Sequence, residues 1–135
     1  MSGLTYPEVQ QSLATDPYSR ALGVELVSVT DSEIVVALDV GPDHLNSLEV
    51  GHGGMVFSLA DCALSLAANA AGDRAVAVDA HLVFTAPSRE GDRLEARVSE
   101  ASRGRTLGTY RVLVTRNDGK TVGLFTGTVH ITPSA

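Results

Sequence analysis

One cysteine, Cys62, is too few for an intrachain disulfide or a cysteine-built metal site. Basic residues are scarce as well: ten Lys and Arg stand against sixteen Asp and Glu, for a net charge of −6. General nucleic-acid binders displace counterions with a basic face, so this balance argues against that class. It leaves a local pair, Arg103 and Arg105, that could meet a phosphate. His44, His52, His81 and His130 lack ligand spacing such as His-x-x-x-His, and no metal site is expected. Ser58 has no Gly-x-Ser-x-Gly elbow around it, which argues against a serine hydrolase. No basic block followed by an apolar block opens the sequence, so no signal peptide is expected and a reducing, cytoplasmic setting is the default reading.

Long apolar runs are limited to one, Gly53 to Gly72. Its length is roughly that of a membrane span. It is rich in Ala, Gly and Ser, carries Asp61 at its centre and has no Lys or Arg anchors nearby. A buried helix of a globular protein is the better reading, and no membrane partner is expected. Hydrophobic content of 44% and charged content of 19% are those of a folded domain rather than a disordered chain. At 135 residues the sequence is long enough for one domain, 1–135, to bury a core without disulfide or metal staples.

Tyr6 to Leu22 reads as short helical turns within an N-terminal segment, 1–22, with Pro7 suited to a first turn and Gly23 to a stop. Val24 to Thr30 and Glu33 to Val40 alternate as two strands joined at Asp31-Ser32. Gly41 to Gly51 is a loop leading into the helix, which is apolar on nearly every side and must be covered on most of its circumference. After Gly72 the period becomes two. Val76, Val78, Ala80, Leu82 and Phe84 share one face of a strand over Ala75 to Phe84. Leu94, Ala96 and Val98 alternate with Arg93, Glu95 and Arg97 in the next. Thr106 to Arg116 and Thr121 to Ile131 follow, joined through Asn117-Asp118-Gly119-Lys120, where Asp-Gly is a strong turn signal. The order is two strands, one long helix, then four strands in a meander. One helix and six strands bury each other if a single curved antiparallel sheet wraps the helix, an α+β architecture.

Asp61 is the only formal charge between Glu49 and Asp73. Aspartate costs a helix up to ~0.7 kcal/mol against alanine. Burying its unpaired charge costs more, or raises its pKa. A group this unfavourable points to chemistry; the alternatives are a neighbouring polar group that satisfies it, or a carboxyl held protonated. Gly53-Gly54 follows His52 at the helix start, with no Ser, Thr or Asp cap. First-turn N–H groups without intrahelical partners, together with the helix dipole, can hold a carbonyl oxygen as it gains negative charge. Glycine lets a ligand approach those amides closely, or merely relieves crowding against the sheet. Asn46, on the preceding loop, is either a turn residue or an amide that orients water or an acyl group. Asp61 lies eight residues beyond Gly53, about 12 Å along the axis. One carbonyl cannot touch both groups of the same helix. If both act on one bond, a second subunit must run antiparallel and bring its own Asp61 to the first subunit's helix start. Cys62 adjoins a carboxylate rather than a cation and is read as core.

The run Asn46-x5-His52-Gly53-Gly54-x6-Asp61 resembles the signature of hotdog-fold acyl-CoA thioesterases, in particular the PaaI (phenylacetyl-CoA thioesterase) branch. The likeness extends through Phe84-Thr85-Ala86-Pro87, Gly91-Asp92 and Leu124-Phe125-Thr126-Gly127-Thr128-Val129. It implies a hotdog fold and hydrolysis of an arylacetyl- or medium-chain acyl-CoA, with no cofactor beyond the coenzyme A of the substrate. It also implies homodimers that pair into homotetramers, with the active site at the dimer interface. By resemblance, the Gly53 amide polarises the thioester carbonyl with His52 beside it. Asp61 of the facing subunit is the nucleophile or the general base, and Asn46 helps position water or acyl group. An acyl pocket is expected from Gly54, Met55, Val56, Phe57 and Leu59, with Arg103 and Arg105 as surface candidates for the coenzyme A phosphates. Relatives often carry Ser or Thr on the strand after the helix to hold the attacking water. Here that position is Ala77, so either Asp79 or a backbone group supplies the contact or this chain lacks it. Two other classes remain open: a non-catalytic acyl-CoA binding module, which would not need Asp61, and a hotdog dehydratase, which would place a catalytic histidine and acid differently.

Overall fold

The computed structural model describes Met1 and residues 3–133. Two short helices come first, α1 (Tyr6–Ala14) and α2 (Pro17–Leu22). The Thr5 side chain accepts the Glu8 N–H to start α1, and Pro7 occupies its first turn. Gly23, in the left-handed region at φ 93°, ends α2. Strands β1 (Glu25–Val29) and β2 (Ile34–Asp39) then lead through a loop to the long helix α3 (Gly53–Asn69). Four strands follow: β3 (Arg74–Phe84), β4 (Arg93–Arg103), β5 (Leu107–Arg116) and β6 (Thr121–Thr132).

All six strands form one antiparallel sheet in the order β1-β2-β4-β5-β6-β3, with α3 packed on it. This is the hotdog arrangement expected from the sequence, with one correction. The four strands after the helix are not a meander: β4-β5-β6 is one, but β3 lies at the far edge against β6, and β4 returns to pair with β2. Alternation reveals that a strand exists, not which strand lies beside it. The signal was the connection 85–92, which is too long for a tight hairpin loop.

A second correction concerns the faces of β3. Its register against β6 passes from Ala77↔Val129 to Asp79↔Thr128, so Val78 is an extra, bulged residue. Ala75 and Ala77 therefore face the helix before the bulge, and Leu82 and Phe84 after it. No single face holds Val76 through Phe84.

The α3 face formed by Val56, Leu59, Ala60, Ala63, Leu64 and Ala67 is buried in the core. Each large apolar side chain there contributes about 1.5–3 kcal/mol by leaving water. Glycines on β6 let the helix sit low: a Cβ at Gly127 would stand 2.7 Å from Leu64 Cδ2. One stripe of α3 is left less covered, running along Gly54, Ser58, Asp61 and Ser65. That spacing is one face of a helix. No helix among the described residues is long and apolar enough to cross a membrane.

The two sheet edges differ. β1 is short, bulged and roofed by α1, whose Tyr6 hydroxyl donates to the Leu26 carbonyl. β3 runs for 11 residues with Val76, Val78, Val83 and Phe84 exposed. A long apolar edge with unpaired backbone groups is a template for another strand.

Candidate active site

The loop before α3 is tied down by its own polar groups. Residues Pro42–His44 form a short 3-10 turn, and Leu45 and Gly51 make an isolated bridge. Asn46 Oδ1 accepts the backbone N–H groups of Leu48 and Val50, which holds the tip of the loop. This is the turn role foreseen for Asn46; its side-chain NH₂ makes no hydrogen bond among the described residues. Gly51 donates its N–H to the Ser88 carbonyl at 2.7 Å, locking the loop to the β3–β4 connection. The fit is close: a Cβ on Gly51 would fall 1.9 Å from Ser88 Oγ.

The helix start corrects one expectation. A cap is present, and it is His52, whose Nδ1 accepts the Gly54 N–H at 2.8 Å. The N–H groups of Met55 and Val56 both go to the His52 carbonyl. The Gly54 amide is thus not available to a ligand. Among the described residues Gly53 keeps the free N–H of this turn, at the positive end of the helix dipole. An imidazole that accepts at Nδ1 carries its proton on Nε2, so His52 can donate from the far side of its ring.

Gly53 opens on a cavity of about 400 Å³ lined by Gly51, Val56, Phe84, Thr85, Ala86 and Pro87 as well as Ser88. Of the expected acyl-pocket residues only Val56 is there. Met55 and Leu59 are core side chains, and Phe57 packs edge-on against Phe125 at 5.5 Å. The all-round apolar character of α3 concealed which side faces the ligand. The end of β3 and the β3–β4 connection supply most of the wall, from Phe84 to Ser88, and sequence reasoning missed them as lining residues. Phe84 matters most, since its ring lies 3.2 Å from where a Gly53 Cβ would be.

Asp61 faces a second cavity of about 290 Å³, shared with Leu64, Ser65, Ala75, Val76, Ala77 and Val129. It is half-buried, and no side chain or backbone group among the described residues hydrogen-bonds or pairs with it. No polar neighbour among the described residues satisfies Asp61. Burial pushes its carboxyl above the usual carboxylate range, and Asp16 raises it further. Asp16 stands at the N-cap position of α2 without a side-chain capping bond, and its carboxylate accepts a hydrogen bond from the Ser19 hydroxyl. Burial likewise pushes the neighbouring Cys62 thiol up, so it is an inert core residue.

Ala77 does lie beside Asp61, as expected. Asp79 does not: it pairs with Thr128, and residues directly opposite on two strands share a face. Val129, the next residue of β6, lines the Asp61 cavity, so Asp79 is on the other side of the sheet.

Arg103 is a clasp rather than a free surface cation. Its guanidinium donates to the Tyr110 hydroxyl, to Asp73 Oδ2 and to the Ala68 carbonyl near the end of α3. Arg105 is exposed in the β4–β5 turn. Alternation and turn signals located both arginines but said nothing of Tyr110, the buried partner that commits one of them.

Residues 48–123 match the Thioesterase superfamily. The chain is 33% identical to acyl-coenzyme A thioesterase PaaI of Escherichia coli over 96% of its own length and 93% of that protein's. The E. coli PaaI structure, from the phenylacetic acid degradation operon, superposes with a TM-score of 0.90 over 96% of this chain and 94% of that one. A variant of the phenylacetic acid degradation protein PaaI from Thermus thermophilus is 43% identical, with a TM-score of 0.80 over 85% of this chain and 98% of that one. A Streptococcus mutans protein solved with acetyl CoA is 26% identical, with a TM-score of 0.79 over 83% of this chain and 90% of that one.

Proposed function

The chain belongs to the thioesterase superfamily, and from that membership we propose that it hydrolyses an arylacetyl- or medium-chain acyl-CoA to the free acid and coenzyme A. The observation that carries the reading is Asp61: a half-buried carboxylate with no partner among the described residues, facing a cavity, on the less covered stripe of the helix. The acyl-coenzyme A thioesterase PaaI of E. coli supports the reaction, and the phenylacetic acid degradation context of both PaaI relatives supports an aryl substrate.

The active unit is a dimer. Pairing of the open β3 edges about a two-fold axis continues the sheet and lays two α3 helices side by side, antiparallel. This brings Asp61 of one subunit toward the Gly53 amide of the other, which the ~12 Å along a single helix forbids. The thioester carbonyl accepts from Gly53 N–H, with His52 Nε2–H beside it. The pocket along Val56, Phe84 and Pro87 takes the acyl group, and the free amide of Asn46 orients it. Asp61 acts as general base on a water. A raised carboxyl is a stronger base than an ordinary aspartate, and the cavity beside it has room for that water. Arg105, exposed in its turn, meets a coenzyme A phosphate, while Arg103 stays in its clasp. The dimers pair into a tetramer.

A thiol-release assay over phenylacetyl-, hydroxyphenylacetyl-, benzoyl-, short- and medium-chain acyl-CoA tests this, with aryl and medium-chain substrates expected to turn over fastest. Tight binding of every thioester without release of thiol would make the protein a binding module instead. The pH profile gives a further check. Only ionised Asp61 is a base, so kcat/KM must fall as pH drops through its raised pKa. Asp16→Asn removes the like charge but keeps the acceptor for Ser19. The acid limb should therefore move to lower pH, while burial, the larger cause, keeps it above the ordinary carboxylate range. An unmoved limb would show that another group controls the profile.

A further inference from the structure

We propose that Arg116 sets the shape of the acyl cavity by holding its outer wall through the Pro87 carbonyl. The proposal rests on the thioesterase reading above and adds to it a positioning residue outside the reacting groups.

The wall needs such a hold. On the helix side the cavity is closed by Val56, whose side chain belongs to the core. On the other side stand Phe84, Thr85 and Pro87, which are exposed and have little packing to keep them in place. Segments with few buried contacts open at low cost, so hydrogen bonds decide where this one lies. At one end, Thr85 donates its N–H to the Val122 carbonyl and its hydroxyl to the Thr121 carbonyl. At the other, the Ser88 carbonyl accepts the Gly51 N–H. Between them, the Ala86–Pro87 pair has one hydrogen bond among the described residues: Arg116 Nη1 donates to the Pro87 carbonyl at 2.9 Å. Proline has no N–H of its own with which to add a second.

Arg116 is itself held in place. It is the last residue of β5, and its Nε and Nη2 donate to the two carboxylate oxygens of Asp118 at 3.1 and 2.8 Å. Asp118 is fixed in the β5–β6 turn by the Lys120 N–H. A guanidinium serves a carboxylate in a two-point fork and a carbonyl at the same time, which the ammonium of lysine cannot match. The β5–β6 turn thus braces the cavity wall from outside, and neither Arg116 nor Asp118 lines the cavity. A wall braced at Pro87 favours acyl groups large enough to pack against it. An acetyl group has one methyl to place there and gains little.

Binding and turnover measured on Arg116→Ala and Arg116→Lys test the assignment. The probes are the phenethyl and ethyl thioethers of coenzyme A, which cannot be hydrolysed as thioesters, together with phenylacetyl- and acetyl-CoA. Arg116→Ala should weaken binding of the phenethyl thioether and raise KM for phenylacetyl-CoA about 5- to 20-fold, the effect of losing one hydrogen bond from a charged donor. Affinity for the ethyl thioether and KM for acetyl-CoA should stay near wild type. So should kcat for both substrates, because Gly53 and Asp61 are untouched. Arg116→Lys, which keeps a donor on a long side chain, should recover part of the loss. A surface ion pair adds little to stability, so the melting temperature should barely move. Unchanged affinity for the phenethyl thioether in Arg116→Ala would overturn the proposal. An equal loss on the short and the aryl ligands would overturn it too, by making Arg116 a general support of the domain. If the wild-type protein binds the thioethers but releases no thiol from either thioester, the thioesterase reading falls, and the thioether affinities of the two variants still decide the role of Arg116.

Discussion

Asp61→Asn is expected to lower kcat by about 10²- to 10⁴-fold, the range for removing a general base, in a protein that melts no earlier than wild type. The two halves of this result come from one fact. Asp61 has no partner to lose among the described residues, so the substitution leaves no orphaned donor or cation behind there. Its folded-state pKa lies above the ordinary value because burial and Asp16 disfavour the charge. The ionised group therefore costs stability at any pH above its raised pKa. That cost fades as pH falls through this pKa and is absent below the ordinary value, where the group is protonated in both the folded and unfolded states. The asparagine protein should gain stability at neutral pH, and the gain should vanish in acid. Melting curves at the two pH values, next to the thiol-release assay, read both effects. A mutant that is inactive because it unfolds would not bear on catalysis, and a mutant that is both stable and active would end the assignment.

Gly53→Val is expected to lower kcat/KM by about 10²- to 10³-fold, the loss seen when a donor to a developing oxyanion is removed. The amide itself remains, but access to it does not. A Cβ at this position would stand 3.2 Å from the Phe84 ring, and branched methyls would fill the mouth of the cavity at the free N–H. Gly53 is not among the positive-φ glycines, so its backbone accepts a side chain without strain, and Phe84 is exposed enough to shift. Folding should survive. Retained activity would mean that the carbonyl is not bound at this helix start.

The sequence made the fold legible because its patterns are long and unmixed. Period-two alternation located all six strands, and an uninterrupted apolar stretch located the helix. It did not order the strands, since the partner of β3 depends on where α3 releases the chain across the sheet. Nor did it locate the bulge at Val78, because an inserted residue in an apolar strand leaves the composition unchanged. Within the site, Asp61 and Gly53 stood out by local incongruity, a charge and a glycine pair in an apolar helix. His52 as a cap was missed because its side chain turns back onto Gly54, a conformation no spacing reveals. The same limit applied to Arg103, whose partners Tyr110 and Asp73 are distant in sequence.

The central claim is that each site joins the helix start of one subunit to the Asp61 of the other. Mixing Asp61→Asn with Gly53→Val subunits by co-expression tests it most directly, since each variant is inactive alone but retains what the other lacks. Random pairing should restore about a quarter of wild-type kcat per subunit, because that share of the sites combines an intact Gly53 with an intact Asp61 across the two-fold interface. Mixed subunits that remain as inactive as either parent would contradict the shared site and return both groups to a single chain.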